Sequence, residues 1–209
     1  MRTVYLIRHG IAMEREEFQG SDYDRPLTPS GREKTQKAMT GLLEVIKDNQ
    51  ERPVLFSSGA LRAKQTAEVF ASVAAAGEQK ATKLQFSDSV KPGANALDYL
   101  DVLIHHPLKN GECLLLFGHE PEISETVALL SNLHRFQELY ERLWNSASAS
   151  EARAELEHWL PSDEGELTVV EGSLAFKVKK AGAVRLELDE RSAAILAILP
   201  PRALRLMAR

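Results

Sequence analysis

The sequence of 209 residues lacks several features that would place it in a common class of protein. It contains a single cysteine, Cys113, which cannot form a disulfide within the chain and fits a reducing compartment. No apolar run approaches the roughly 18 to 20 residues of a membrane span. The N-terminal apolar run of about four residues is too short for a signal peptide. We therefore expect a soluble cytoplasmic protein without a membrane partner.

An excess of positive charge is also missing, because the formal net charge is −4. Nucleic-acid backbones favour strongly basic surfaces, so we expect no nucleic-acid partner. A small phosphorylated substrate remains compatible, because it needs only a local cluster of positive side chains. Glycine and proline are not enriched, and 44% of the residues are hydrophobic, which is ordinary for a globular protein. A single domain comprising residues 1–209 can bury a sizeable core at this length.

Short apolar runs alternate with helical patterns in the first part of the chain. Residues 4–7, 53–56 and 113–117 are the strand candidates, and residues 61–73 and 123–130 have helical character. Such alternation predicts a mainly parallel sheet that is covered by helices on both faces. The expected fold class is therefore a three-layer α/β/α arrangement.

The first long helix has two possible starts. Thr28 could cap the helix with Pro29 at its first position, or Ser30 and Glu33 could form a capping box. Apolar residues then recur at helical spacing as far as Ile46. The pattern predicts a helix but leaves its first turn open between these two starts.

A helical insertion is expected at about residues 132–165. Apolar residues from 133 to 144 fall on one face of a helix, and a break at 145–148 precedes a second helix ending near Trp159. A packed helix face is the favoured interpretation of this apolar stripe. The insertion could also overhang the mouth of a site and limit the size of a substrate.

The C-terminal part of the chain has the pattern of a β-hairpin. Residues 174–178 and 184–188 alternate apolar and polar side chains, which predicts two antiparallel strands. A last apolar run at residues 193–199 is expected to stop at Pro200 and Pro201.

The three strand candidates share polar residues at their carboxyl ends that their hydrophobic patterns do not require. The first ends in Arg8-His9-Gly10, the second in Ser57-Ser58-Gly59 with Arg62 in the next helical turn, and the third in Gly118-His119-Glu120. Ligands of open α/β sheets bind beyond the carboxyl ends of the strands. Two arginines and two histidines are therefore expected around one small space.

This set of side chains suits a phosphoryl group. Guanidinium groups match phosphate oxygens bidentately and stay charged at any working pH, and helix N-termini add N–H donors. A histidine with a reference pKa of about 6.5 is substantially neutral near pH 7, and its free ring nitrogen is a competent nucleophile. The pattern predicts transfer of a phosphoryl group to histidine, followed by hydrolysis.

Four motifs resemble those of the histidine phosphatase superfamily, whose fold is called phosphoglycerate-mutase-like. In chain order they are Arg8-His9-Gly10, RPLTPSG at residues 25–31, SSGALRAKQTA at residues 57–67 and GHEP at residues 118–121. Their order and spacing, with the short chain, are most similar to the SixA-type phosphohistidine phosphatases. The resemblance covers residues 1–130 well and the remainder loosely.

The resemblance implies a role for each matching residue. His9 would accept the phosphoryl group, Arg8 and Arg62 would hold the phosphate, and His119 would bind it and stabilise the transferring group. No cofactor and no metal ion is implied. Protein phosphohistidine is the favoured substrate class and a small phosphoester is the alternative. A phosphate-binding module without turnover is the competing interpretation.

Departures from the family pattern bear on the substrate. Ser58 stands where many relatives have proline, which is expected to affect only the start of the next helix. Larger mutases and many broad phosphatases take a general acid from the segment after the second helix, where this chain aligns Ser89, with Asp88 beside it. Without an acid, sugar alkoxides depart slowly and phosphoramidates more readily, which favours phosphohistidine and disfavours a mutase. Glu120 could be an acid, a cap or solvent-facing, and a non-catalytic role is favoured.

The adjacent His105 and His106 are a weak signal for a metal site. They precede Pro107 in an expected loop, and no set of partner ligands accompanies them. We interpret both as surface residues.

Overall fold

The computed structural model of the protein describes residues 1–145, 147–157 and 177–208, which form one six-stranded sheet with helices on both faces. The strands are β1 (Arg2–Arg8), β2 (Arg52–Ser58), β3 (Gln85–Ser87), β4 (Glu112–Gly118), β5 (Ala183–Leu188) and β6 (Ala193–Leu199). Their order across the sheet is β3-β2-β4-β1-β5-β6. The first four strands of this order are parallel, and β5 runs antiparallel to both β1 and β6.

Helices cover the two faces of the sheet. They are α1 (Pro29–Asp48), α2 (Leu61–Ala76), α3 (Ala96–His105), α4 (Glu122–Ser131), α5 (Gln137–Leu143), α6 (Ala149–Glu157) and α7 (Pro201–Met207). One face carries α1, α2 and α7, and the other carries α3, α4, α5 and α6. The predicted three-layer α/β/α class with a mainly parallel sheet is confirmed. Within the described ranges, no helix is both long and apolar enough to cross a bilayer.

The strand β1 is apolar without interruption because both faces of the sheet are covered. Val4 and Leu6 pack into the core on the α3 and α4 side, whereas Tyr5 and Ile7 pack into the core on the α1 and α2 side. All four side chains are fully buried. A strand buried on both faces is a continuous hydrophobic run rather than an alternating one.

The first of the two possible starts of α1 is the one that forms. The hydroxyl of Thr28 accepts a hydrogen bond from the N–H of Gly31, with an O···N distance of 2.9 Å, and Pro29 is the first helical residue. Proline suits this position because its missing N–H would have no helical partner there. Ser30 lies inside the helix and does not cap it.

Three elements were missed by the sequence patterns. β3 has only three residues, too few for a detectable period. α3 begins with a capping box of Asn95 and Asp98, and this sequence signal was overlooked. α7 begins at Pro201, so the proline pair ends β6 and also starts a helix.

The C-terminal hairpin forms, but one of its strands differs from the prediction. β5 matches the predicted segment 184–188, and its antiparallel partner is β6 rather than residues 174–178. β1 occupies the other edge of β5, so neither edge is left for a further strand. Leu174 to Phe176 lie outside the described residues.

The predicted insertion contains two short helices in its described part, α5 and α6. Tyr140, Leu143 and Leu156 are buried in the same core cluster as α3 and α4. The hydroxyl of Tyr140 donates to the carbonyl of Asp189, with an O···O distance of 3.0 Å. These contacts agree with a packed helix face. Trp159 and residues 158–165 lie outside the described residues, and the effect of the insertion on substrate size stays a prediction.

Gly41 permits the close contact between α1 and α7. A Cβ atom at this position would lie 1.8 Å from the carbonyl oxygen of Leu204. Gly41→Ala would stabilise an isolated helix by about 0.5–1 kcal/mol, but here α7 must move. We expect a net loss of about 1–3 kcal/mol in the free energy of unfolding, measured by urea denaturation. Lys37→Ala, at an exposed position of α1, is the control, and a more stable Gly41→Ala variant would contradict this packing.

Candidate active site

The two histidines meet because β1 and β4 are neighbouring parallel strands in register. Arg8 lies opposite Gly118, and the N–H of His9 donates to the carbonyl of Gly118 with an N···O distance of 3.0 Å. The rings of His9 and His119 have centroids 5.3 Å apart and are tilted by 51°. His9 is 7% exposed and His119 is 2% exposed. The predicted juxtaposition of these two strand ends is therefore present.

Two arginines border the same space. Arg62 lies in the first turn of α2, directly after β2, and is 4% exposed. Arg8 is the last residue of β1, and its Nη1 donates to the carbonyl of Val178 with an N···O distance of 2.8 Å. The charge of each arginine lowers the pKa of His9 and of His119. The two arginines predicted for the site are therefore close enough to the two histidines to disfavour their protonation.

Several buried polar atoms of this cluster have no hydrogen-bond partner among the described residues. They are Nε of Arg8, Nε of Arg62, both ring nitrogens of His119 and Oε2 of Glu122. Buried polar atoms are nearly always paired in folded proteins, and an unpaired one costs about 1–3 kcal/mol. Free guanidinium N–H groups beside a free imidazole are suited to an oxyanion as their partner.

The ring of His9 is arranged for attack through Nε2. Its Nδ1 lies 2.7 Å from the carbonyl oxygen of Gly10, so the ring proton is held on Nδ1 and the lone pair is on Nε2. Burial, together with the charges of Arg62, Arg8 and Lys180, lowers the pKa of His9 to about 3. The imidazole is therefore neutral at any pH near 7, as a nitrogen nucleophile must be.

A hydrogen-bonded connection joins the end of β1 to α2. The N–H of Gly10 donates to Oγ1 of Thr66 at 3.0 Å, and this hydroxyl donates to the carbonyl of Arg62 at 2.7 Å. Thr66 therefore links the backbone beside His9 to the backbone that carries Arg62. Gly10 also packs closely against α1, because a Cβ atom at this position would lie 2.2 Å from Oγ1 of Thr35.

Asp22 binds the two terminal nitrogens of the Arg62 guanidinium group, and the sequence patterns did not indicate this residue. Nη1 of Arg62 donates to the carbonyl of Asp22 at 2.6 Å, and Nη2 donates to its carboxylate at 3.0 Å. Nε of Arg25 binds the other carboxylate oxygen at 3.0 Å. These contacts fix the guanidinium group while its Nε stays free. Asp22 lies in a polar loop forty residues before Arg62, where no local pattern indicates the contact.

Asp88 and Ser89, at the position of the family's general acid, are bound to other side chains. The carboxylate of Asp88 accepts a hydrogen bond from the hydroxyl of Tyr23 at 2.8 Å, and the hydroxyl of Ser89 is 2.7 Å from that of Ser87. Both Asp88 and Ser89 are exposed.

Glu120 ties two segments together. Its Oε1 accepts from the N–H of Val178 at 2.7 Å, and its Oε2 accepts from the N–H of Ser124 at 3.4 Å. Val178 is also the residue whose carbonyl binds Arg8. These contacts agree with the favoured non-catalytic interpretation of Glu120.

The adjacent histidines are not in one loop, which corrects the expectation for His105. This residue ends α3, where its Nδ1 lies 3.0 Å from the carboxylate of Asp101 one turn earlier, whereas His106 follows the helix. Among the residues that the structure describes, no three His, Cys, Asp or Glu side chains are placed to hold a metal ion.

Cationic side chains with N–H groups that lack a partner among the described residues surround a neutral histidine at the carboxyl edge of an α/β sheet, and this combination is suited to the transfer of a phosphoryl group. The N-terminal part of the chain, residues 4–84, matches the family model of the histidine phosphatase superfamily, branch 1. No curated protein sequence matches the chain. Over these residues the family match agrees with the motifs and with the fold.

Solved structures share the fold over almost the whole chain. The protein histidine phosphatase SixA in complex with tungstate is 19% identical, with a TM-score of 0.59 over 97% of this chain and 99% of that one. A protein assigned as phosphohistidine phosphatase SixA from Agrobacterium tumefaciens is 17% identical, with a TM-score of 0.58 over 96% and 98%. Phosphoserine phosphatase from Entamoeba histolytica, in complex with phosphoserine, is 14% identical, with a TM-score of 0.55 over 98% and 100%. These likenesses support the fold.

The buried histidines make the stability of the protein depend on pH. Burial lowers the pKa of His119 to about 2 in the folded protein, whereas its value in the unfolded chain is about 6.5. Unfolding below about pH 6.5 therefore takes up a proton, so stability is lost as the pH falls from 6.5 towards 2. His119→Asn should reduce this loss by up to about 1.4 kcal/mol per pH unit, measured by urea unfolding between roughly pH 7 and pH 5.

The control for this measurement is His105→Asn, which replaces an exposed histidine and should keep the wild-type slope of stability against pH. An unchanged slope in His119→Asn would mean that His119 is not held neutral in the folded protein.

Proposed function

We propose that the protein hydrolyses a phosphorylated substrate through a phosphohistidine intermediate at His9. The observation that carries this proposal is a set of buried atoms on Arg8, Arg62 and His119, around a neutral His9, that have no hydrogen-bond partner within the described ranges. Phosphoryl transfer needs chiefly positioning and neutralisation of charge on the phosphate oxygens. A dianionic phosphate would supply acceptors for all of these N–H groups at once.

The reaction has two steps. Nε2 of His9 attacks phosphorus, the bond from phosphorus to the leaving atom breaks, and that atom takes up a proton. Water then attacks the phosphohistidine, the P–N bond breaks, and phosphate leaves with His9 restored. Arg8, Arg62 and His119 hold the phosphate oxygens throughout, and the hydrogen bond from Nδ1 to Gly10 keeps the ring of His9 oriented.

Protein phosphohistidine is the substrate class that we propose. The order and spacing of the motifs support it, and so does the match to SixA structures over almost the full length of both chains. A small phosphoester is the alternative, supported by the likeness to a phosphoserine phosphatase. A cytoplasmic location, where a thiol such as Cys113 stays reduced, is part of the same proposal.

We also propose that residues 1–209 form one histidine phosphatase domain that includes the insertion at about residues 132–165. The support is the shared core: Tyr140 and Leu143 of α5 and Leu156 of α6 pack in the cluster that contains β1 and β4 residues. Separate domains are expected to have separate cores.

Removal of the nucleophile is the first test. His9→Ala should lower kcat for p-nitrophenyl phosphate by a factor on the order of 10⁴ or more, because no covalent intermediate can form. His105→Ala, at an exposed histidine, is the matched control and should keep wild-type activity. Alkaline quenching and mass spectrometry should place the phosphoryl group of the wild-type enzyme on His9. Retained turnover in His9→Ala would refute the mechanism.

The substrate class is tested by a competition panel. We expect kcat/KM to be higher for a phosphohistidine protein than for phosphoserine, sugar phosphates or nucleotides, by at least about tenfold. Parallel reactions with His9→Ala correct for the spontaneous hydrolysis of phosphohistidine. A strong preference for sugar phosphates would overturn the substrate assignment and leave the mechanism unchanged.

A further inference from the structure

Three carboxyl groups lie around the candidate site, and they differ in how their oxygens are used. The two carboxylate oxygens of Asp22 bind Arg62 and Arg25, and those of Glu120 accept from Val178 and Ser124. Glu122 uses only one oxygen. Its Oε1 accepts from the N–H of Gly93 at 2.6 Å, and its Oε2 is buried without a partner in the described part of the chain.

Glu122 lies close to His119 of the candidate active site in the sequence. It is the first residue of α4, three residues after His119, and it is 3% exposed. Burial raises the pKa of its carboxyl group, and the charge of Arg62 has a smaller, opposing effect. The charge of Glu122 in turn raises the pKa of Tyr99, whose hydroxyl accepts from the N–H of His119 at 3.0 Å. The oxygen that has no partner in the described part of the chain therefore belongs to a buried side chain just after the carboxyl end of β4, which carries His119.

We propose that Glu122 is the general acid that protonates the leaving atom of the substrate, an inference that rests on the proposed function. As His9 attacks phosphorus, the bond to the leaving oxygen or nitrogen breaks and that atom takes the proton of Oε2. The carboxylate that results accepts a proton from the water that hydrolyses phosphohistidine, and Glu122 is protonated again. Atoms and charges balance over the two steps without a further reactant.

The surroundings of Glu122 support the protonated form that this role needs. Burial raises the pKa of its carboxyl group, and the charge of Glu120 acts in the same direction. The backbone hydrogen bonds from Glu122 itself and from Gly93, together with the charge of Arg62, oppose this rise without cancelling it. Burial, followed by the charges of Glu122 and Glu120, also raises the pKa of Glu125, one turn along α4. A carboxyl group with one unpaired buried oxygen can keep a proton there and place it on a ligand.

The proposal also concerns the range of substrates. Alkoxide oxygens and imidazole nitrogens are poor leaving groups unless they are protonated, whereas p-nitrophenolate leaves without help. An acid on α4 would protonate the leaving group in place of an acid from residues 86–92. In that segment the carboxylate of Asp88 accepts a hydrogen bond from Tyr23. Unactivated phosphoesters would then be hydrolysed as well as phosphoramidates.

A structural role is the competing explanation, because Oε1 of Glu122 holds the N–H of Gly93. Glu122→Gln separates the two roles. The amide oxygen can still accept from Gly93, but the side chain has no acidic proton to transfer. Glu125→Gln is the matched control, since it removes a partly buried carboxyl group from the same helix.

The experiment measures kcat/KM for p-nitrophenyl phosphate, phenyl phosphate and phosphoserine with the wild-type enzyme and both variants. For Glu122→Gln we expect a loss of about 10²–10⁴ on phenyl phosphate and phosphoserine, and less than about tenfold on p-nitrophenyl phosphate. With p-nitrophenyl phosphate, phosphorylated His9 should accumulate in this variant, because its hydrolysis lacks the base. Glu125→Gln should behave as the wild type does.

An equal fractional loss of kcat/KM on all three substrates would assign Glu122 to structure and overturn the proposal. The proposal would also be overturned if the wild-type enzyme cleaved p-nitrophenyl phosphate but not phenyl phosphate. Failure of the proposed function has a different signature, namely a wild-type enzyme in which His9 is never phosphorylated, and the role of Glu122 then falls with it.

Discussion

The parallel pairing of β1 with β4 is the constraint on which the site depends. It places Arg8 opposite Gly118, and the next residues along the two strands are His9 and His119. A slip of one residue would turn every side chain of a strand to the other face of the sheet. Both strands are buried on both faces, so such a slip would also disrupt two core clusters. The packing of the core and the distance between the two histidines are thus determined together.

Burial sets the chemical state of the groups that this pairing brings together. Desolvation disfavours the charged form of a histidine, and the nearby arginines act in the same direction, so the pKa values of His9 and His119 fall to about 3 and about 2. Arginine keeps its charge when buried, which leaves Arg62 and Arg8 as cations whose Nε atoms are unpaired among the residues that the structure describes. The site therefore combines neutral nitrogen bases with fixed positive charge, a combination that favours an incoming phosphate dianion over water.

Much of this arrangement could be predicted from local sequence. The apolar runs identified three of the four parallel strands, and the residues after those runs included His9, Arg62 and His119. The start of α1 could be narrowed to two local signals, of which Thr28 with Pro29 is the one used, whereas the start of α3 at the capping box of Asn95 and Asp98 was not predicted. The hairpin prediction chose the wrong partner for β5, because alternation indicates a strand but carries no information about its neighbour. Pairing depends on which sheet edges are free, and β1 and β6 occupy both edges of β5.

The sequence by itself determined the fold class and the residue types at the strand ends, because these depend on short-range periodicity and on the identity of a few side chains. Only the tertiary structure decided which partners each group has. Asp22 binds Arg62 across forty residues, and Thr66 connects Gly10 to α2. Within the described part of the chain, Glu122 has one carboxyl oxygen without a partner, whereas Glu120, two residues earlier, uses both of its oxygens. Hydrogen bonds over such separations depend on how the elements pack, and no periodic pattern encodes them. For that reason two glutamates in one short motif have different surroundings, and we infer a proton-donor role for only one of them.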